Sequence, residues 1–463
     1  MPESKPLHIA VLAAGKGTRM RSRRPKVLQA LAGRPLLAHV LERVTALDAA
    51  ACHVVVGHEQ ERVRAAFADS PQALTWVDQG EPRGTGHAVF RALEAIPDAA
   101  RVLVTYGDVP RIPIPDLVAC ADGDGVTVLA ARVVDPSGYG RLILDSSGQL
   151  ERIVEDKEAS ARERAVDLIN TGVLAAPAGE LRRWLAACEP RVTGPREWYL
   201  TDVVAAARAD GCAVEVVESG DSAAVLGVND REQLAVQERL YQAALGAGLM
   251  RDGLGLADPA RLDVRGVLTF GRDCQIDVNV VIEGTVTLSD DVYIGPGCVL
   301  RDCDIGSGTQ IAAHSVLEGV RVHADARIGP FARLRPGTEL GTGARVGNFV
   351  EIKNSTLGAG AKANHLTYVG DAQIGAGANL GAGTITCNYD GANKHRTEIG
   401  ERAFIGSNTA LVAPIRIGDD ATVGAGSTLS DDVEAGALAL TRARARTIRD
   451  WPRPKKSGND KEK

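Results

Sequence analysis

From about residue 263 onward, aliphatic residues return at every sixth position, and that beat leaves few folds open. It runs through Ile276, Ile282, Leu288, Ile294 and Leu300, then Ile305, Ile311 and Leu317, then Ile328, Leu334, Leu340, Val346 and Ile352. It resumes at Val369, Ile374 and Leu380, and again at Ile399, Ile405, Leu411, Ile417, Val423 and Leu429. An antiparallel sandwich would alternate every two residues; a fixed period of six predicts a parallel β-helix, each aliphatic side chain stacking on its equivalent in the next coil. Three hexapeptides make one triangular coil, so roughly 170 residues give about nine or ten coils. More than half of the 51 glycines lie between 251 and 450 and often follow the beat residue, where tight corners need them. The beat fails at TCNYDGANKHRT (386–397), a polar insertion in a regular scaffold, where function tends to sit.

The first half has a different grammar. HIAVLAAG (8–15) is a short apolar strand ending in a glycine-rich turn. Further strand candidates at 53–56, 74–77, 102–106, 126–133 and 213–217 are separated by helical stretches at 36–50, 59–68 and 86–95. Strands alternating with helices predict an α/β domain with a mixed, mostly parallel Rossmann-like sheet covered on both faces, with ligands beyond the carboxyl ends of the strands. Residues 231–250 carry Leu234, Val236, Leu240, Tyr241 and Leu245 close to one helical face, so they read as a helix spacing two bodies, 1–230 and 251–463.

The turn GKGTRM (15–20) is neither a Walker A loop nor GxGxxG. Read alone it is a structural turn with solvated basic residues, or a phosphate cradle in which Lys16, Arg19 and Lys26 supply charge. Asp108 in TYGDVP (105–110) follows an apolar strand; read alone it is a turn carboxylate or a ligand for a divalent ion held between phosphates.

The ordered set LAAGKGTRM (12–20), PKVL (25–28), QGEPRGTGHA (79–88), YGDVP (106–110), PSGYGR (136–141), VEDKEA (154–159), INTG (169–172) and GVND (227–230) resembles the sugar-nucleotide pyrophosphorylase family. It is most similar to its bacterial bifunctional uridyltransferase/acetyltransferase members. The resemblance implies that Leu12, Ala13, Ala14, Gly15, Gln79, Gly84 and Thr85 receive the uridine nucleotide, and that Tyr106 and Gly107 line the same site. It implies that Arg19 and Lys26 act on the phosphates, that Gly140, Glu155, Asn170 and Thr171 hold the amino-sugar phosphate, and that Asp108 and Asn229 bind Mg2+. The implied reaction joins N-acetylglucosamine 1-phosphate to UTP, giving UDP-N-acetylglucosamine, a cell-envelope precursor, and pyrophosphate.

The resemblance extends to about residue 442. Hexapeptide-repeat acyltransferases are left-handed β-helices, usually homotrimers with acyl-coenzyme A between neighbouring subunits. By that likeness His365 is the base that deprotonates the amine of glucosamine 1-phosphate, a task suited to imidazole. Glu351 would orient it. Arg335, Lys353, Tyr368, Asn379 and Lys394 would bind the sugar phosphate, and Ala382, Asn388, Tyr389, Ser407, Ala425 and Arg442 acetyl-coenzyme A. His314, His323 and His395 lack such support and read as surface or local hydrogen-bonding groups.

A net charge of −6 gives no reason to expect nucleic acid or an anionic membrane as partner. The basic run 442–463 reads as a solvated tail. Eight scattered cysteines, with no CxxC pair, argue against structural zinc and a disulfide scaffold. No apolar run near the start suits a signal sequence, so a cytoplasmic, non-membrane protein is expected. Two other readings stay open from residues alone: a pyrophosphorylase whose β-helix is only a stem, and a regulatory subunit with decayed sites.

Overall fold

A computed structural model describes residues 5–188, 197–441 and 444–453. The chain divides into two compact units, one of residues 1–248 with 264–266, the other of 249–263 with 267–463.

In the first unit the sheet runs Val214–Glu218, Val126–Arg132, Leu168–Pro177, Arg101–Tyr106, Leu7–Leu12, Ala51–Val56, Leu74–Asp78. Its strands are parallel except Leu168–Pro177, which is antiparallel to both neighbours. Alternation along Leu7–Leu12 divides the core. Ile9 and Val11, with Ala13 just beyond, pack on one face with Leu37, Val40 and Leu41, whereas Ala10 and Leu12 pack on the other with Val89, Leu181 and Trp184. Every strand read from the sequence is present. Leu168–Pro177 and the hairpin Arg141–Leu144/Leu150–Val154 were not anticipated.

The expected spacer is a single helix, Arg231–Arg251, but it is docked on the first unit. Leu234 and Tyr241 pack against Met20, Leu31, Leu36 and Val228, and the Glu238 carboxylate accepts the Ala32 N–H at 2.7 Å. Its inner face is partly polar. Gln237 and Gln242 are buried, and Gln242 exchanges two hydrogen bonds with the Val264 backbone, at 3.0 and 2.8 Å, whereas Val236 faces solvent. Buried amides with satisfied partners cost little, and this is why the apolar pattern misplaced the face.

In the second unit every beat residue named above is buried. The strands stack in parallel, Ile276 on Ile294, Ile294 on Ile311, Ile328 on Val346. Val322, Leu357, Ala363 and Thr386 fill the gaps in the beat and are equally buried. Corners are turned by left-handed residues, mostly Gly, Asn and Asp, the residue types that tolerate positive φ. At one corner the positions are instead His314, Phe331, Phe349 and Leu366, with successive rings stacked 5.1 and 5.3 Å apart.

Among the described residues all cysteines are free. No helix there is long and apolar enough to cross a membrane.

One buried pair makes stability depend on pH. His8 Nδ1 lies 3.0 Å from His53 Nε2, and burial lowers both, His53 to about 4. Unfolded imidazoles titrate near 6.5. The unfolded chain therefore takes up protons first, and the stability of the neutral pair, full above about 6.5, is lost as pH falls toward 4. Scanning calorimetry from pH 7 to 4.5 is expected to show a steeper fall in melting temperature for the wild type than for His53→Gln. Parallel slopes would remove the pair as a cause.

Candidate active sites

The first site lies where the sheet predicts, beyond the carboxyl ends of Leu7–Leu12 and Arg101–Tyr106. A cleft of about 510 Å³ is lined there by Leu12, Ala13, Ala14, Gly15, Lys26, Gln79, Gly84, Thr85, Tyr106 and Asp108, all expected from sequence. Lys16, Val27, Pro82, Ala88, Glu197 and Tyr199 complete the lining. Local constraints fix these positions. Gly84 has φ +106 and lies flat against the backbone of Trp198, so a side chain there would collide with it. The Gln79 amide donates to the Gly84 carbonyl at 3.0 Å. Gly107 is held by close packing under Leu37, Val27 and Ala13, behind the cleft wall. Arg19 stands exposed on the loop and is not part of the lining.

The sugar-side residues form an adjoining group. The Asn170 N–H donates to the Gly140 carbonyl at 2.8 Å, and the Glu155 carboxylate lies over Gly140 while accepting the Thr201 hydroxyl at 3.0 Å. Thr171 is turned inward, donating to the Leu129 carbonyl at 2.7 Å. The strand slips register between Asn170 and Leu174, and Gly172, at φ +89, lies beneath the Tyr106 ring. A bulge thus puts the Asn170 and Thr171 backbone beside the cleft. Burial, with the Glu155 and Asp108 carboxylates nearby, pushes the Tyr106 phenol well above its ordinary value, so it stays a neutral hydrogen-bonding group. Asp156 pairs at 3.0 Å with Arg141, whose side chain is fully buried beneath this group.

Asp108 and Asn229 meet although far apart in sequence. The Val228 N–H donates to the Asp108 carbonyl at 2.9 Å, and the Lys26 ammonium bonds both the Asp108 carboxylate and, at 3.3 Å, Asn229 Oδ1. Two hard oxygen donors converge on one point that already accepts a cation. That donor set fits magnesium, which needs few protein oxygens when phosphates and water supply the rest.

In the β-helix the expected residues fall into two groups. Arg335, Glu351, Lys353, Tyr368 and Asn388 project from one face, with Glu351 paired in register to Tyr368 and Lys353 to Gly370. Arg335 Nη1 donates to Glu351 at 2.8 Å; the Tyr368 hydroxyl and the Asn388 amide both crowd Gly370; and Asn388 donates to Asp371 at 2.5 Å. Lys394 sits against Lys353 and depresses its ammonium below the usual lysine value, relieved only partly by Asp371. Two adjacent ammonium groups with a guanidinium nearby concentrate positive charge on this face, the kind of surface a phosphate group neutralises. Lys394 reaches it from the insertion, a small hairpin in which Tyr389 bridges Lys394 and the Asp390 carboxylate caps the Ala392 and Asn393 N–H groups.

The second group is a column along one corner. Residues in equivalent positions of successive coils each accept at their backbone carbonyl from the next coil: the Leu366 N–H donates to Asn348, that of Gly383 to His365, that of Asn408 to Ala382 and that of Gly426 to Ser407. Asn348, His365, Ala382 and Ser407 therefore stand one above another, and Ala425, which precedes Gly426, continues the line. Asn379 lies on the strand above the one carrying His365, in register with Lys362. Glu351 is engaged by Arg335; the group that meets the His365 ring is Asn348, which the sequence reading missed, its Oδ1 2.8 Å from Nδ1. A look one coil below His365 would have found it. His323 bonds Glu339, His395 bonds Asp390, and His314 stacks on Phe331, all local roles. Arg442 lies outside the described residues.

Comparison with known proteins covers nearly the whole chain. Residues 9–166 match the MobA-like NTP transferase domain, and residues 396–431 the hexapeptide repeat of succinyl-transferase. The Bifunctional protein GlmU of Alkalilimnicola ehrlichii is 53% identical over 451 residues, covering 97% of this chain and 96% of that protein. That of Marinobacter nauticus is 49% identical over 455 residues, 98% and 100%. That of Xanthomonas axonopodis pv. citri is 53% identical over 452 residues, 97% and 99%. The chain belongs to the bifunctional GlmU family. Membership accounts for two unlike units in one polypeptide, a nucleotidyltransferase-type α/β fold and a hexapeptide β-helix, each with its own cluster of polar groups. The GlmU relatives span both units, so neither is an addition peculiar to this chain.

Proposed function

We propose that this protein acetylates glucosamine 1-phosphate with acetyl-coenzyme A at the β-helix, and joins the resulting N-acetylglucosamine 1-phosphate to UTP in the cleft, giving UDP-N-acetylglucosamine and pyrophosphate. The observation that carries the reading is convergence: residues scattered from Leu12 to Asn229 gather around one cleft and its rim, and those from Arg335 to Ala425 gather into one cationic patch and one corner column.

In the cleft, a sugar-phosphate oxygen forms a bond to the α-phosphorus of UTP while the bond to pyrophosphate breaks. The nucleophile is already ionised, so no side chain need act as base. The chain's contribution is alignment and charge, the uridine against the 12–15 backbone, Gln79, Gly84 and Thr85, the sugar against Gly140, Glu155, Asn170 and Thr171, and the phosphates facing Lys26. Asp108 and Asn229 are the residues that would hold magnesium, which when bound neutralises charge on the phosphates.

At the β-helix, His365 takes a proton from the substrate ammonium, and the freed amine nitrogen attacks the thioester carbonyl; the C–S bond then breaks, and the departing coenzyme A thiolate takes up the second proton that the nitrogen sheds as the amide forms. Arg335, Lys353 and Lys394 hold the phosphate, and the Ala382 N–H receives the oxyanion. Phe331, Phe349 and Leu366, 47%, 56% and 63% exposed beside the His365 column, suit cover by neighbouring chains, in line with a homotrimer completing the coenzyme A site.

The test is a paired assay of the purified protein with glucosamine 1-phosphate, acetyl-coenzyme A, UTP and magnesium, each withheld in turn. Without acetyl-coenzyme A, pyrophosphate release should cease and return when N-acetylglucosamine 1-phosphate is added; without UTP, thiol release should continue. Uridylylation of unacetylated glucosamine 1-phosphate at an equal rate would contradict the order.

A further inference from the structure

Resting on the reading of His365 as the acetyl-transfer base, we propose that Asn348 is a positioning residue that fixes the His365 tautomer, leaving Nε2 as the proton-accepting atom. Three observations lead there. Asn348 and His365 occupy the same position in consecutive coils, paired in parallel register, so their side chains leave the corner in the same direction. The backbone beneath the ring is pinned: the Leu366 N–H donates to the Asn348 carbonyl at 3.1 Å, and the Thr367 hydroxyl to the His365 carbonyl at 2.7 Å. The side-chain contact is Asn348 Oδ1 to His365 Nδ1 at 2.8 Å.

The chemistry follows from the donor inventory. An amide oxygen only accepts, so Nδ1 must carry the hydrogen. A neutral imidazole has one N–H, and the Nε2 lone pair is then free. Without such a partner an imidazole in water prefers the opposite form, with hydrogen on Nε2, which cannot take a proton from an amine. The ring is exposed, so the surrounding packing does not hold it in place. The Asn348 bond selects both the tautomer and the rotation of the ring. Asn348 needs no contact with substrate to do this.

The informative variants are Asn348→Leu, close in shape but without an acceptor, and Asn348→Asp, which keeps an acceptor oxygen at the same reach. Acetyl transfer by Asn348→Leu is expected to lose about ten- to a hundredfold in kcat, the usual effect of removing a partner that orients a histidine, with KM for both substrates unchanged. Asn348→Asp should recover most of kcat. In protein labelled with 15N-histidine, with the His365 signals assigned against His365→Ala, wild type should show a protonated Nδ1 and an unprotonated Nε2, and Asn348→Leu a shift toward the reverse. Wild-type kcat in Asn348→Leu, or hydrogen on Nε2 in the wild type, overturns the inference. Full acetyl transfer by His365→Ala would instead overturn the base reading itself, so the two failures are told apart.

Discussion

His365→Ala is expected to lower acetyl transfer by about a hundred- to ten-thousandfold, the usual worth of a positioned general base, while leaving UTP-dependent pyrophosphate release from N-acetylglucosamine 1-phosphate at the wild-type rate. The loss falls on one step. At neutral pH the substrate amine is mostly an ammonium, which has no lone pair for the thioester, so an enzyme without a proton acceptor works only on the small neutral fraction. The remaining acetyl transfer should therefore climb as pH is raised and more amine is neutral. The substitution is unlike a core truncation. The ring is exposed, its removal opens no internal cavity, and the coil beneath is held by Ala363 and its neighbours, so the melting temperature should hardly move. The cleft of the first unit is built without any residue of this corner, and its activity serves as an internal folding control. Equal loss of both activities in a folded protein would refute separate sites.

How far the sequence led depends on how local each signal was. The β-helix was legible because its stabilising contacts repeat, and each aliphatic residue announces its stacking partner one coil away. The beat faltered only where a coil shortens or a small or polar residue takes an inward position. Thr386 is the clearest case: it is buried, yet its hydroxyl accepts from the Gly370 N–H at 2.8 Å, so a threonine serves where hydropathy asks for leucine. Leu168–Pro177 was hidden by its own bulge, since Asn170, Thr171 and Gly172 read as a loop in the middle of a ten-residue strand.

The sites divide in the same way. The nucleotide wall from Leu12 to Gly15 is contiguous and could be read directly. Glu197 and Tyr199 join the cleft only through folding, when the backbone of Trp198 closes over Gly84, with the Trp198 N–H donating to the Arg83 carbonyl at 2.7 Å. Nothing local marks them. The helix expected as a spacer misled for a related reason: buried glutamines break the apolar stripe, and their partners, such as the Val264 backbone, lie elsewhere in the chain.

Asp108→Ala is expected to abolish magnesium-dependent uridylyl transfer, by at least the hundred- to thousandfold that removing one preorganised electrostatic group commonly costs, about 3 to 4 kcal/mol of transition-state stabilisation, with acetyl transfer intact. A second consequence follows from its partner. Lys26 is bonded to this carboxylate, and both side chains are nearly buried, 14% and 12% exposed. Removing one member of such a pair leaves the other charge poorly compensated, so Asp108→Ala should also melt earlier than wild type. Asp108→Asn keeps an oxygen for Lys26 but gives up the negative charge. It should retain more stability than alanine and yet restore little uridylyl transfer, because a neutral amide is a poor substitute for a carboxylate toward a divalent cation. Calorimetric titration of magnesium in the presence of UTP separates the causes without recourse to turnover: both variants should lose most of the metal-dependent heat, whereas melting temperature should rank wild type above asparagine above alanine. If Asp108→Asn bound magnesium like the wild type and transferred uridylyl at a comparable rate, the carboxylate would be only the counter-ion of Lys26, and Asn229 would have no partner with which to hold the metal.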